Sequence, residues 1–190
     1  MPVDQRPQLV VYGDFNCPFS ALACARAGYL ERHGLADVDW RAVEHAPGIP
    51  SEGRELTGER RDQLRAELDQ IRSVLTDGEA DLLTLPAIQS NTRRATLAYA
   101  AAPAAARPRL REQLFSAYWM HQANLSDPET LSSLGASNED EPTAARWHDE
   151  WMALPRPIVP VMVLPDGYVS RGLGALARLA RSAWSSPTNE

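Results

Sequence analysis

The run Gln8-Leu9-Val10-Val11-Tyr12, closed by Gly13-Asp14 and followed almost at once by a helix-periodic segment, constrains the fold of this chain more than any other feature. Short, apolar and β-branched, it reads as a buried strand. From Ala21 to Gly34 (ALACARAGYLERHG) apolar side chains recur at helical spacing, with Arg and Glu on the other side and Gly34 as a stop. Asp37 to Val43 (DVDWRAV) alternates and reads as a second strand. Strand, helix and strand in one sheet imply a parallel pair joined by a right-handed crossover.

After the loop His45-Ala46-Pro47-Gly48-Ile49-Pro50 the pattern changes. From about Thr57 to Trp151 nearly every segment reads as helix: Glu59 to Leu75, Asn91 to Ala102, Arg107 to Gln122, Asp127 to Leu134 and Thr143 to Leu154. Asn91 and Asp127 are candidate N-caps, Pro128 suits the first helical position, and Gly78 and Gly135 are candidate stops. The sheet resumes at Ile158 to Leu164 (IVPVMVL), and Asp166-Gly167 signals a hairpin back through Tyr168-Val169-Ser170. A last amphipathic helix spans Leu173 to Trp184, and a frayed tail is expected from Ser185 to Glu190. The order is β-α-β, helices, β-β-α.

At 190 residues there is room for one core with an embellishment, not for two full domains. An apolar fraction of 44% and a charged fraction of 23% are those of a globular chain, and no segment approaches the ~20 apolar residues of a membrane span. The N-terminus carries no secretory signal pattern, so a cytoplasmic location is expected. The net charge is −6, with no Lys/Arg stripe, which argues against a nucleic-acid partner.

The two cysteines, Cys17 and Cys24, are too few for a disulfide framework or a zinc site. Cys17 follows a strand and a turn and precedes a helix, where unpaired N–H groups and the helix dipole favour a thiolate. Pro18 fits the first helical turn, and Ser20 places a hydroxyl within reach of the sulfur. His45 follows the second strand, whose end lies on the Cys17 side, so it is a candidate to orient substrate or lower the thiol pKa; a solvated loop histidine is the plain alternative. His33, His121 and His148 show no metal-pair spacing, and no metal site is expected. Asp14 reads as a strand-end cap, and Trp119, Trp147 and Trp151 read as core between the helices and the sheet.

Asp14-Phe15-Asn16-Cys17-Pro18-Phe19-Ser20, with Leu22-Ala23, resembles the active-site turn of DsbA-like thioredoxin-fold proteins. The nearest branches are the FrnE-like thiol oxidoreductases and the 2-hydroxychromene-2-carboxylate isomerases with their kappa-class glutathione transferase relatives. Ser90-Asn91-Thr92, Leu114 to Trp119 and Asn124 to Leu131 are similar to the helical insertion of those families. The resemblance implies an α/β thioredoxin-like fold (β-α-β … β-β-α) with an all-helical insertion. Residues 1–50 and 155–190 form its thioredoxin-like domain and residues 51–154 its helical insertion domain. It also implies that Val159-Pro160 supplies a cis-proline loop beside Cys17, so that Val159 and Pro160 join Cys17 as site residues. Taken together, the expected catalytic residues are Cys17 and Ser20, and the expected substrate-binding residues are Pro18, Phe19, Val159, Pro160 and His45. A proline inside a strand-like run is awkward for a ladder unless it lies at an edge or in a special conformation.

Serine at position 20 departs from the second cysteine of the oxidoreductases, whereas Cys17 departs from the serine usual in the isomerases. Cys24 cannot replace the missing thiol, because seven residues of helix rise ~10.5 Å and a disulfide needs Cα atoms within ~7 Å. It reads as a small buried apolar residue. A stable dithiol oxidant is therefore excluded, and monothiol exchange through a mixed disulfide is expected, with a disulfide-containing protein or a small thiol as substrate. No tightly bound cofactor is expected beyond glutathione or another low-molecular-weight thiol, and a homodimer is compatible with the reading. The alternatives are a glutathione-dependent isomerase or transferase, weakened by Gly172-Leu173-Gly174 where that branch carries acidic residues, and a catalytically inactive ligand-binding protein.

Overall fold

The computed structural model describes residues 6–184. Its first unit is β1 (Gln8–Gly13), α1 (Pro18–Arg32) and β2 (Asp37–Ala42), with β1 and β2 parallel and Val11 opposite Trp40. Between β2 and the return to the sheet stand α2 (Gly58–Ser73), α3 (Arg93–Ala101), α4 (Arg107–Trp119), α5 (Pro128–Ser133) and α6 (Glu141–Met152). The chain closes with the strands Val161–Val163 and Val169–Arg171 and the helix α7 (Gly172–Leu179). A two-residue ladder, β3 (Arg54–Glu55) with β4 (Ile88–Gln89), interrupts the otherwise helical insertion. The closing strands are accordingly β5 and β6, and the main sheet has the order β2-β1-β5-β6 with β5 antiparallel to both neighbours. Among the described residues no helix is long and apolar enough to cross a membrane.

Alternation along the strands divides the helices between two faces. Trp40 meets the Phe115 ring of α4 edge-on at 5.6 Å and lies under the Arg111 guanidinium, on the face where α1 packs against α7, α4 and α2. The next pair in register, Tyr12 and Arg41, points the other way, and Tyr12 Oη and Arg41 Nη1 both donate to Glu150 of α6. On that face α3 and α6 pack on each other and on β2. Gly13 has no side chain because the Trp40 indole occupies the space: a Cβ there would sit 2.3 Å from Trp40 Cζ2.

Several expected element ends shift. Thr92, not Asn91, is the N-cap of α3, and its hydroxyl is used elsewhere, donating to Asp14 Oδ1 at 2.7 Å. Asn91 instead accepts from the Arg93 N–H and donates to the Ile49 carbonyl. Asp127 does cap α5, accepting from Glu129 and Thr130. The last helix stops at Leu179, where Ala180 turns extended and a 3₁₀ turn, Arg181–Ala183, follows. The strand expected from Ile158 is confined to Val161–Val163, because Pro160 cannot donate to a ladder. The expected tail 185–190 lies outside the described residues, as do residues 1–5.

Candidate active site

Cys17 is the N-cap of α1, in extended conformation, with Pro18 at N1. The sequence dictates this: β1 ends at Gly13, Asp14 to Asn16 turn, and proline begins a helix at no cost in hydrogen bonds. Cys17 N–H closes the turn on the Asp14 carbonyl at 3.1 Å. The Val159–Pro160 peptide bond is cis, and the Cys17 thiol donates to the Val159 carbonyl at 3.7 Å. Pro160 is buried behind that contact, and its own carbonyl accepts from the Gly172 N–H at the start of α7.

Cys17 is only 6% exposed, and the expected thiolate is not what the closed site favours. Burial pushes the Cys17 thiol up to about 11, against the pull of the Ser20 N–H and hydroxyl and the Phe19 N–H. The nearby Asp14 carboxylate pushes the same way as burial. The helix terminus supplies donors as expected, but the loss of water around a fully covered sulfur outweighs them. Ser20 is buried, and its Oγ also accepts from the Asp14 N–H at 3.3 Å, so it ties the sulfur to the turn.

Asp14 is more than a cap. Its carboxylate is 1% exposed and accepts four hydrogen bonds: from the Asn16 N–H and the Thr92 hydroxyl on Oδ1, and from the His45 N–H and His45 Nδ1 on Oδ2. The Oδ2 to Nδ1 distance is 2.7 Å, and the imidazole is 36% exposed. Burial disfavours the imidazolium, but hydrogen bonding to Asp14, its charge and that of Glu67 prevail and raise the His45 pKa. His45 is thus an anchored residue, not a solvated loop histidine.

Cys17, Pro18, Phe19, His45 and Val159 line one cavity of about 790 Å³, whose opposite wall is α2 with Glu59, Arg60 and Glu67. Cys24 faces elsewhere: it is 3% exposed, unpaired, and raised to about 11 by burial. Sequence reasoning missed the contributions of Asp14, Thr92 and Asn16, whose Nδ2 donates to the Ser90 carbonyl. Two of the expected core tryptophans also hold the site. Trp119 Nε1 donates to the Phe15 carbonyl in the cysteine turn, and Trp151 Nε1 donates to the Ile158 carbonyl in the proline loop. No group of residues arranged to hold a metal occurs among the described residues.

The sequence matches the DSBA-like thioredoxin domain over residues 8–145. No curated protein matches it. Among solved structures it is similar to a probable DsbA oxidoreductase from Streptomyces coelicolor (TM-score 0.66, 16% identity, covering 97% of this chain and 94% of that one). It is also similar to a 2-hydroxychromene-2-carboxylate isomerase (0.57, 22%, 94% and 100%) and to a putative protein disulfide isomerase from Nitrosomonas europaea (0.56, 14%, 92% and 96%). At these identities the likeness is one of fold.

Proposed function

The chain belongs to the DSBA-like thioredoxin domain family, and from that premise we propose that it carries out thiol–disulfide exchange through Cys17 alone, by way of a mixed disulfide. One observation carries the reading: the Cys17 sulfur stands at the start of α1 against the Val159 carbonyl and lines a cavity large enough for a small thiol or an extended peptide segment. A substrate backbone that takes over the Val159 carbonyl releases the thiol proton from its acceptor and presents a disulfide to the sulfur. Ser20 and the Phe19 N–H then stabilise the negative charge. No second thiol resolves the adduct, because Cys24 is buried two turns along α1. An external thiol, such as glutathione, completes the cycle.

Incubation with oxidised glutathione followed by intact-mass measurement tests this. One adduct is expected, absent in Cys17→Ser and retained in Cys24→Ala. No adduct on the parent protein at any pH up to 11 rules the reading out.

A second reading is favoured by the protonated state of the resting thiol. A neutral Cys17 donates a hydrogen bond, as a serine hydroxyl would, and so suits a glutathione-dependent isomerase or transferase in which the cofactor brings the thiolate. On that reading reduced glutathione binds, Cys17→Ser retains the activity, and no covalent adduct accumulates.

A further inference from the structure

We propose that His45, oriented by the buried Asp14 carboxylate, accepts the Cys17 proton when a disulfide enters the cavity, so that Cys17, His45 and Asp14 act as nucleophile, base and orienting group. The inference rests on the exchange reading above. Its geometry is a buried carboxylate that spends one oxygen on the His45 backbone N–H and on Nδ1, and the other on Thr92 and the Asn16 N–H. An ionised carboxylate can only accept, so Nδ1 carries a proton and Nε2 is the nitrogen with a free lone pair in the neutral ring. His45, its side chain 36% exposed, lines the same cavity as Cys17. Such a pairing of an imidazole with a buried acid, beside a nucleophile that is not ionised by itself, is the general arrangement for activating a thiol or hydroxyl.

The need for a base follows from the sulfur. A thiol held at about 11 presents almost no thiolate at neutral pH, and the donors around it do not change that. The other titratable residues of the cavity wall are Glu59, Arg60 and Glu67, all on α2. Arginine has no proton-accepting form there, Arg60 donating to Gln89, and carboxylates as a class are far weaker bases than imidazole. Beside His45 in the chain, Glu44 is paired with Arg93. The groups that act on the imidazole are Asp14 behind it and Glu67 from α2, and both hold its proton to higher pH than in a free histidine.

The step balances without an outside oxidant. The Cys17 S–H proton passes to Nε2, the sulfur forms a bond to one substrate sulfur, the substrate S–S bond breaks, and the departing thiolate takes the proton from the imidazolium.

The test is the pH dependence of the second-order rate of adduct formation with oxidised glutathione, from pH 6 to 11, for the parent protein and His45→Gln. In the parent the rate should rise through an inflection above 6.5 and well below 11. In His45→Gln that inflection should vanish, the rate near neutrality should drop at least about tenfold, and the two curves should converge as the thiol ionises by itself near pH 11. Added imidazole should restore rate to His45→Gly and not to the parent. If His45→Gln keeps the parent's inflection and rate, the inference falls while thiol exchange stands. If neither protein forms an adduct at any pH, the exchange reading falls and takes this one with it.

Discussion

The Cys17 sulfur lies 3.7 Å from the carbonyl oxygen of Val159, a contact between segments 142 positions apart in the chain. Only the protonated thiol can donate to a carbonyl, so the contact and the burial of the sulfur favour the same resting state. In this geometry the sulfur is held neutral, buried and bonded to that acceptor.

The two cysteines make stability fall in alkali. Burial pushes both thiols up to about 11, whereas in the unfolded chain each titrates near ~8.5. Between these values the unfolded state has released protons that the folded state keeps, so stability declines as pH rises, approaching about 1.4 kcal/mol per pH unit for each thiol. Denaturant unfolding at a series of pH values from 7.5 to 9.5 should show the decline, and Cys24→Ala should remove about half of it. An unchanged midpoint across that range would mean that the folded state ionises its thiols freely.

Removing the carboxylate at position 14 should uncouple His45. In Asp14→Asn the amide nitrogen faces the donors of His45, and the imidazole pKa should move down, which NMR titration of the ring protons reads directly. Four donors lose part of their acceptor, at a cost of about 2–3 kcal/mol. The His45 share of that loss is present below its unfolded value of ~6.5 and disappears as pH rises through the raised folded value. The stability gap between parent and variant should therefore narrow towards alkaline pH.

Gly13→Ala should disturb the site from beneath. The added Cβ would meet Trp40 Cζ2 at 2.3 Å and Ser20 Oγ at 3.2 Å, and the rigid indole, itself packed on Phe115, cannot retreat without moving α4. Overpacking of this kind costs about 1–3 kcal/mol. A changed tryptophan emission together with a lower unfolding midpoint is expected; a variant as stable as the parent would show that Trp40 has room to move.

Arg26 ties three segments together inside the protein. Its guanidinium holds Glu79 through two bonds of 2.7 Å, the Leu176 carbonyl of α7 and the Val74 carbonyl after α2, while the ion pair is almost wholly buried. Arg26→Leu leaves Glu79 without a counter-charge and should cost about 3–5 kcal/mol. Arg26→Lys should recover little of this, since one ammonium cannot reproduce the fork. Chemical denaturation of both variants checks the ranking.

What could be read from the residues in order was whatever depends on near neighbours. Apolar period and turn chemistry place β1, α1, β2, the Asp166-Gly167 hairpin and α7, and the proline after Cys17 marks the start of α1. The same local logic misplaced the cap of α3, because Thr92 spends its hydroxyl on a carboxylate brought to it by the fold. It also credited the helix terminus with ionising Cys17, since the benefit of a terminus is local and visible in sequence.

The sequence by itself determined the order of strands and helices and the place of Cys17 at the start of α1, seven residues before Cys24, because strand and helix periodicity and helix rise are properties of consecutive residues. Only the tertiary structure decided the burial that holds the Cys17 thiol protonated and the anchoring of His45 on Asp14. Burial, and a carboxylate shared by residues 14, 16, 45 and 92, arise from segments that meet only once the chain is folded, and desolvation at such a meeting point outweighs what any one segment contributes.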